Sequence, residues 1–248
     1  MATDKQIIFG RHPVADALKD GKNFDRVFLQ AGTTGEFERA VRLLTRERDI
    51  PLQVVPKERL ERFTRKNHQG VVGLLSPIAY YRVEDMLPLI YEKGETPLLL
   101  LLDGVTDVRN FGAIARSAEV MGVHALVIPH KGAAQINGDA VKTSAGALTK
   151  IPVCREKSLV STIQWLKMNG ISIFASDLKA AKPMHELDMT APTALIIGSE
   201  RSGVSSHVVR EAHENFIIPQ RGTTDSLNVS VAAGIALYEA DRQRRAAE

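Results

Sequence analysis

The sequence has a single cysteine, Cys154, among its 248 residues, so an internal disulfide is excluded. It also lacks long hydrophobic runs. The longest purely apolar run, residues 98–102, is far too short to cross a bilayer. The amino terminus has neither the apolar core of a signal peptide nor an arginine-rich transit pattern. We therefore expect a cytoplasmic protein with no membrane partner.

Metal-ligand spacing and the common glycine-rich nucleotide motifs are also missing. The seven histidines show no zinc-type spacing with cysteine or acidic residues, so no metal site is predicted. The absence of GxGxxG argues against a Rossmann dinucleotide site. The segment GSERSG has P-loop-like glycine spacing, but Val204 stands where the lysine belongs, so ATP hydrolysis is not expected.

Positive charge is concentrated in the first third of the chain, although the net charge is only +3. Residues 1–82 hold 15 Lys and Arg against 10 Asp and Glu, a net of +5, and the rest holds 17 against 19, a net of −2. This asymmetry indicates a module that faces a polyanion, because phosphate contacts are mainly electrostatic. A solvated helix face, where such an excess is common, is the alternative.

Hydrophobic periodicity predicts two α/β domains joined by a linker. Over residues 1–76, short apolar strands alternate with amphipathic helices. Residues 77–96 mix prolines, tyrosines and charges, which is typical of a linker, around one short helix near 84–91. Over residues 97–248 the strands are continuously apolar, which predicts a parallel sheet covered on both faces. The predicted strands are 7–9, 26–29, 52–55, 71–75, 98–102, 125–128, 171–175, 194–197 and 216–218. The predicted helices are 13–19, 36–48, 57–64, 111–121, 159–168 and a last helix capped by Asp225 or Ser226.

Three segments of the second domain collect polar residues directly after predicted strands. They read DGVTDVRNFGAIARSAE, GSERSGVS and IIPQRGTTDSLNVSVAAGIALYEA. In the third segment, Ser226, Asn228 and Ser230 alternate with apolar residues at the start of a helix. A core helix would have no such polar side chains there. In open α/β sheets ligands bind outside the carboxyl ends of the strands, so these segments are predicted to converge on one pocket.

Each segment also has a purely structural interpretation. Asn110 is suited to cap a helix, and Arg116, six residues later, to lie on its surface. Glu200 is suited to stabilise the helix start that follows it. The serines of the third segment are able to bond to their own backbone. Single segments therefore do not decide the function.

Taken together, the three segments resemble the three motifs of the SpoU branch of the SPOUT RNA methyltransferases, in the same order. NFGAIARSAEVMGV is similar to the first motif, LIIGSERSGV to the second and IPQRGTTDSLNVSVAAGIALYEADRQR to the third. The resemblance covers residues 97–245. In the first domain, GRHPVADAL and NHQGVVGLL resemble the RNA-binding domain that precedes the catalytic domain in ribosomal members of the family.

The resemblance implies a fold, a reaction and partners. It implies an α/β chain in which residues 97–248 form a parallel-sheet methyltransferase domain with a trefoil knot, and residues 1–76 bind the RNA substrate. It implies a homodimer whose sites lie near the subunit interface. The implied reaction is S-adenosylmethionine-dependent methylation of a ribose 2'-hydroxyl, of a guanosine in large-subunit ribosomal RNA. Hydrophobic periodicity by itself does not indicate the knot.

The resemblance also implies roles for individual residues. Arg116 would act on the ribose hydroxyl. Because a guanidinium stays protonated in proteins, we expect it to stabilise the developing alkoxide and bind the adjacent phosphate instead of acting as a base. The other residues implied at the catalytic site are Asn110, Glu200, Ser226 and Asn228. Residues implied to bind the cofactor, mainly through their backbones, are Gly198, Ile218, Pro219, Ser226 and Leu227. Residues implied to bind RNA are Arg11, Arg59, Arg62, Arg65 and Lys66, with His68 and Gln69 as further candidates.

Several other functions remain open at this point. A transfer-RNA ribose methyltransferase is disfavoured by the extra first domain, which simple members of that kind lack. A resistance methyltransferase that modifies a ribosomal-RNA adenosine has a comparable layout. A non-catalytic RNA-binding protein is disfavoured because Asn110, Arg116, Glu200 and Asn228 are all present. A small-molecule methyltransferase would not need the basic first domain.

Overall fold

Two separate α/β units make up the chain, and the computed structural model describes residues 7–224 and 226–247 of it. The boundary between the units lies between Ile78 and Ala79. Each unit has its own sheet, one of four strands and one of six. No helix in these described ranges is long and apolar enough to span a membrane.

The first unit is a mixed four-stranded sheet with helices on both faces. Its elements are β1 (Ile7–Phe9), α1 (Arg11–Lys19), β2 (Phe24–Gln30), α2 (Glu36–Glu47), β3 (Leu52–Val55), α3 (Lys57–Glu61) and β4 (Val71–Leu75). The sheet order is β1-β4-β2-β3, with β3 parallel to β2 and β4 antiparallel to both of its neighbours. Along β2 the side chains alternate, so Val27 and Leu29 pack with α1 and α2, whereas Phe28 packs with α3 on the opposite face.

The basic segment after β3 is less helical than the sequence predicts. The helix predicted over 57–64 is α3, which ends at Glu61. Phe63 then turns inward and stacks on Phe28, with ring centroids 4.7 Å apart. Arg65 and Lys66 therefore project from a loop, so the alternative of a solvated helix face does not account for these two cations.

The second unit is a six-stranded, fully parallel sheet, as the continuous apolar strands predict. Its elements are α4 (Val83–Glu92), β5 (Leu98–Asp103), α5 (Val108–Val120), β6 (Ala125–Pro129), α6 (Gly138–Thr143), β7 (Val153–Glu156), α7 (Leu159–Met168), β8 (Ser172–Ser176), β9 (Thr193–Gly198), α8 (Ser206–Val209), β10 (Glu214–Phe216) and α9 (Val229–Ala247). The strand order is β10-β8-β9-β5-β6-β7. Every residue from Leu98 to Leu102 is buried, because α4, α7 and α8 cover one face of the sheet and α5 and α9 cover the other.

Residues 79–96, which the sequence predicts as part of a linker, belong to the second unit. Tyr81 pairs with the edge strand β7: its N–H donates to the carbonyl of Val153 and its own carbonyl accepts from the N–H of Arg155, both at 3.0 Å. Helix α4 buries one apolar face in the core of the unit. The sequence predicts a linker here because it does not reveal β7, the strand with which Tyr81 pairs.

Strand β7 escapes prediction because its last two residues are charged. Arg155 and Glu156 are only 7% and 4% exposed. The Arg155 guanidinium lies 3.7 Å from the centre of the Tyr80 ring, and Glu156 accepts from the backbone N–H of Val83 at 2.8 Å. These contacts stabilise the buried charges. In the same strand, burial raises the pKa of the Cys154 thiol, which keeps it protonated and unreactive.

The carboxyl-terminal part of α9 is fastened to the sheet by one side chain. The half-buried Arg244 guanidinium donates to the backbone carbonyls of Met189, Thr96, Pro97 and Ala191 at 2.7–3.1 Å. Five donors in a planar fork allow one arginine to satisfy several carbonyls at once. The position of α9 across the sheet is therefore fixed at this end by the strand starts of β5 and β9.

Candidate functional site

The candidate site lies where the strand order of the second sheet reverses. Strand β5 has β6 on one side and β9 on the other, and the last residues of β5 and β9, Asp103 and Gly198, are register partners. Parallel strands place their carboxyl ends at one edge, so the loops that follow β5 and β9 are neighbours. Such a reversal point is the usual ligand site of open α/β sheets.

The loop after β5 presents Asn110 from the first turn of α5. Asp107 caps this helix, since its carboxylate accepts from the backbone N–H groups of Arg109 and Asn110, both at 2.9 Å. The structural interpretation of Asn110 as the cap is therefore wrong, and the predicted start of the helix at 111 is late. With the cap supplied by Asp107, the Asn110 amide is available for contacts across the site.

The loop after β9 folds back on itself and presents Glu200. Ser199 and Gly203 exchange two backbone hydrogen bonds, of 2.9 and 3.1 Å. The returning chain passes so close to Gly198 that a Cβ there would lie 2.0 Å from the backbone of Gly203. Gly203 itself has a φ of 63°, which favours glycine. The two glycines of GSERSG thus form a tight turn, not a phosphate-binding loop.

Asp103 ties this turn to the end of β5. Its carboxylate accepts from the backbone N–H of Ser205 at 2.8 Å and from the Ser205 hydroxyl. Sequence reasoning missed both residues, although an acidic residue that directly follows a buried apolar strand is a signal for such a role. The tie holds the turn that carries Glu200 against its neighbouring strand.

The third segment presents Asn228 immediately before α9. The Asn228 carbonyl oxygen accepts from the Ser230 backbone N–H at 2.9 Å and from its hydroxyl at 2.6 Å, as a helix-capping residue does. The predicted caps are thereby corrected: Ser226 is not the capping residue, and Asp225 lies outside the described residues. Strand β10 also ends at Phe216, earlier than the predicted strand over 216–218.

Three side chains from the three segments meet in one hydrogen-bond network. The Asn110 amide donates to Glu200 Oε1 at 3.0 Å, and the Asn228 amide donates to the same oxygen. Asn228 also donates to Asn110 Oδ1 at 3.2 Å. The three segments, which are predicted to converge on one pocket, therefore meet at this network. Because each asparagine carbonyl is already engaged as an acceptor, both amide groups are held in a defined orientation.

A cavity of about 520 Å³ lies beside this network, and Glu200 belongs to both. Of the residues predicted to bind cofactor, four line the cavity and Pro219 does not. Its volume is in the range of small-molecule sites, and its walls combine aliphatic side chains with polar groups. These features fit the adenosine and methionine parts of S-adenosylmethionine. The predicted lining residues are Gly198, Ile218, Ser226 and Leu227, and further lining residues that sequence reasoning missed include Asp177, Leu178, Lys179 and Gln220.

Arg116 does not join the network within one copy of the chain. It lies on α5 six residues after Asn110, so at about 100° per residue it points about 120° away from that side chain. It is exposed, and it has no hydrogen bond or ion pair with any residue in the ranges 7–224 and 226–247. Its guanidinium is available to a partner outside this chain.

A second cavity, of about 820 Å³, lies entirely within the first unit. Among the residues predicted to bind RNA, Arg11, Arg65 and Lys66 line it, together with the further candidates His68 and Gln69. Arg59 and Arg62 do not line it. Lining residues that sequence reasoning missed are His12, Gln30, Thr33 and Lys57.

Comparison with known proteins places both units in one family. The SpoU rRNA Methylase family profile matches residues 97–238, and the RNA 2'-O ribose methyltransferase substrate binding profile matches residues 7–81. The part of the chain that the structure describes contains no cluster of His, Cys, Asp or Glu suited to a metal ion.

Individual relatives agree with these profiles. The 23S rRNA (guanosine-2'-O-)-methyltransferase RlmB of Yersinia pestis is 35% identical over 96% of this chain and 98% of its own length. The AdoMet-bound rRNA methyltransferase of Sinorhizobium meliloti is 27% identical, with a TM-score of 0.61 over 96% of this chain and 87% of that one. The A. aeolicus TrmH/SpoU tRNA modifying enzyme is 34% identical, with a TM-score of 0.57, and covers 66% of this chain and 85% of its own. The chain belongs to the SpoU rRNA methylase family, and it is an RNA 2'-O-ribose methyltransferase.

Proposed function

We propose that this enzyme methylates the ribose of a guanosine in large-subunit ribosomal RNA. The observation that carries the proposal is full-length similarity, across both units, to a relative named for that reaction. The transfer-RNA enzyme described above matches only two thirds of this chain, so it supports a transfer-RNA substrate less than the full-length relative supports a ribosomal one. A ribosomal substrate would place the enzyme in the cytoplasm.

The cofactor is S-adenosylmethionine, which supplies an activated methyl group when it is bound. The residues that would hold it line the 520 Å³ cavity: the tight turn after Gly198 forms one wall, and Ile218 and Leu227 form another. Glu200 stands between this cavity and the asparagine pair. The ribose would therefore enter from the side of the network.

Within the network, Glu200 has one carboxylate oxygen still free to bind substrate. Oε1 accepts from both asparagine amides, whereas Oε2 receives no hydrogen bond from any described residue. Oε2 is thus suited to accept from a ribose hydroxyl. Asn110 and Asn228 fix its position, and Ser226 lies on the wall of the adjoining cavity. The chemical role of the network is alignment of the hydroxyl with the methyl group.

Arg116 would supply positive charge to the reacting centre. Its guanidinium stays protonated, so it stabilises the developing alkoxide and the neighbouring phosphate, and the proton leaves through phosphate or water. Because Arg116 does not reach the network of its own chain, this role requires a second copy of the chain or the RNA to bring the groups together.

A homodimer through α5 and α9 would meet that requirement. On α9, Val231, Ile235 and Tyr238 are 48%, 38% and 53% exposed and follow one stripe of the helix. Helix α9 packs on α5, where Arg116 and Val120 are also exposed. An apolar stripe on paired helices, with a cation beside it, suits a subunit interface.

If the protein is a dimer through this apolar stripe, substituting charged residues into the stripe should lower the mass of the protein in solution. Substituting glutamate for Ile235 and Tyr238 together should convert a dimer to a monomer in light scattering, because association would then bury carboxylates without partners. The matched control is Met168→Glu, which alters a 78% exposed apolar residue on α7 and should leave the mass unchanged. A monomeric parent protein at micromolar concentration would refute the dimer.

A trefoil knot in the second unit is part of the same proposal. The family resemblance implies it, and the path of the chain supports it: β10 lies at the edge of the sheet, whereas the next element, α9, packs on α5 and β9 near the centre. The segment between β10 and α9 also lines the cofactor cavity. An experimental chain trace without threading in residues 193–247 would contradict the knot.

Mapping the product tests the reaction and the target together. The full-length protein should transfer label from S-adenosylmethionine to unmodified large-subunit ribosomal RNA, at one ribose of a guanosine. An adenosine product would identify the resistance-type alternative, which has a similar layout. Label found only in transfer RNA, or on a base instead of a ribose, would contradict the proposal, and the absence of any label would favour a non-catalytic RNA-binding protein.

In this reaction the first unit would hold the RNA through exposed cations. Phosphate contacts are electrostatic, and the excess positive charge of the sequence lies in this unit. The residues proposed for these contacts are Arg11, Arg59, Arg62, Arg65 and Lys66.

A further inference from the structure

The cavity of the first unit has a positively charged rim. Four cations line it, Arg11, Lys57, Arg65 and Lys66, against one carboxylate, Glu61, which gives a net charge of +3. Lys57 lies 3.4 Å from Glu61. The other three cations have no carboxylate partner among the described residues, so they are available to phosphate groups.

The lining of the cavity includes a side chain with an unused donor. His68 is 6% exposed, and its Nδ1 accepts from the backbone N–H of Gly70 at 3.1 Å. In a neutral imidazole the proton then resides on Nε2, which becomes a donor. Nε2 has no partner within residues 7–224 and 226–247, although His68 lines the cavity. A group that enters the cavity would therefore meet His68 with this donor unused.

The loop that carries His68 is held in place before any ligand arrives. Gln69 and Gly70 have successive positive φ angles of 49° and 79°, and the Asn67 side chain accepts from the Gln69 N–H at 3.2 Å. Gln69 in turn accepts from the backbone N–H of Arg11 at 3.0 Å and, through its carbonyl, from Arg11 Nε at 3.3 Å. The Arg11 guanidinium lies over the Phe37 ring. Binding of a ligand therefore requires little further ordering of this loop or of the Arg11 side chain, so its entropic cost is small.

We propose that this cavity binds an unpaired nucleotide of the RNA, with His68 Nε2 donating to an acceptor on the base and Arg11, Arg65 and Lys66 contacting the flanking phosphates. The inference rests on the proposed function, since it assumes an RNA substrate. A base within a duplex is stacked and cannot reach into a cavity to a side chain that is only 6% exposed, whereas a base in a loop or bulge is able to turn outward. Every base offers a ring nitrogen or a carbonyl as acceptor. The cavity thus selects unpaired over paired RNA.

A pair of substitutions separates the donor from the structural role of His68. In His68→Asn the shorter side chain still offers an oxygen to the Gly70 N–H but has no donor at the Nε2 position. In His68→Gln the amide reaches the Nε2 position but the acceptor for Gly70 is displaced. We expect His68→Asn to bind a fluorescent single-stranded RNA about tenfold more weakly, with unchanged affinity for the same strand annealed to its complement. His68→Gln should bind the single strand more tightly than His68→Asn does.

Cation variants test the rim of the same cavity. Arg65→Ala combined with Lys66→Ala should reduce the salt dependence of single-strand binding, by about 0.7 in log Kd per log salt for each phosphate that is no longer neutralised. The matched control combines Lys19→Ala with Lys22→Ala, which removes the same charge from exposed positions of the first unit that do not line the cavity. The control should change the slope of log Kd against log salt less than Arg65→Ala combined with Lys66→Ala does. Thermal melting of every variant checks that the first unit remains folded.

The outcomes distinguish the cavity from the reaction. Equal affinity of the unaltered enzyme for single strand and duplex, or a His68→Asn variant that binds the single strand normally, would overturn the cavity proposal even if ribosomal RNA is methylated. Conversely, a clear His68→Asn defect together with methylation only of transfer RNA would leave the cavity proposal intact and overturn the proposed target.

Discussion

Replacing Arg116 with lysine is expected to lower kcat by ~10²–10³-fold while leaving the Kd for S-adenosylmethionine unchanged, because removing one preorganised donor to a developing oxyanion costs about that much. Lysine keeps the charge but loses the planar fork that contacts alkoxide and phosphate together. Arg116 is not among the residues that line the cofactor cavity, so cofactor affinity should not change. Single-turnover methylation of ribosomal RNA and calorimetric titration of the cofactor measure the two quantities.

The comparison variant for Arg116 is Glu200→Gln. Glu200 lines the cavity and accepts from two asparagine amides, so a neutral side chain there should disturb the network as well as turnover. If Glu200→Gln alters the Kd for S-adenosylmethionine and Arg116→Lys does not, the result supports a Glu200 that lines the cofactor cavity and an Arg116 that does not. Near-normal methylation by Arg116→Lys would show that the guanidinium is not required for the reaction.

Deleting residues 1–78 is expected to abolish methylation of ribosomal RNA but to spare cofactor binding. The cofactor cavity and the Asn110–Glu200–Asn228 network lie entirely in the second unit, which has its own sheet and core. The deletion would remove every cation that is proposed to hold the RNA in the first unit. Calorimetric titration with S-adenosylmethionine and a methyl-transfer assay on unmodified ribosomal RNA give the two readouts.

The position of the cut matters for this experiment. A deletion through Arg82 would remove Tyr81, which pairs with β7. It would also remove Arg82, whose Nε lies 3.6 Å from Glu156 Oε2. That longer deletion should melt at a lower temperature than the deletion through Ile78, so it serves as the control for damage to the second unit. If the chain that starts at Ala79 methylated its target normally, RNA recognition would not reside in the first unit.

Long apolar segments were predicted well because their burial depends on their own composition. The run at Leu98–Leu102 became a central strand, and the helix with an apolar face over 159–168 became α7. Strand β7 was missed for the opposite reason: Arg155 and Glu156 are buried against partners such as Tyr80 and Val83, which arrive from elsewhere in the chain. Local patterns contain no information about such partners.

The site shows the same division. Asn110, Glu200 and Asn228 were identified from their places after predicted strands and from a family resemblance, and they do meet. The helix caps were harder to assign, because several polar residues near each helix start were equally suited to cap it. Only the backbone geometry selected Asp107 for α5 and Asn228 for α9.

The order of residues alone therefore determined the α/β class, the parallel second sheet and the three polar segments, since these follow from composition and local spacing. It also indicated the family, because the motifs that carry the resemblance are continuous segments. Tertiary structure decided which residues act together. It brought positions 90 residues apart into contact at Asn110 and Glu200, separated Arg116 from them, and left Arg59 and Arg62 outside the cavity that buries His68. The physical reason is that sheet order and loop packing set distances between side chains, and those distances are not encoded in any local pattern.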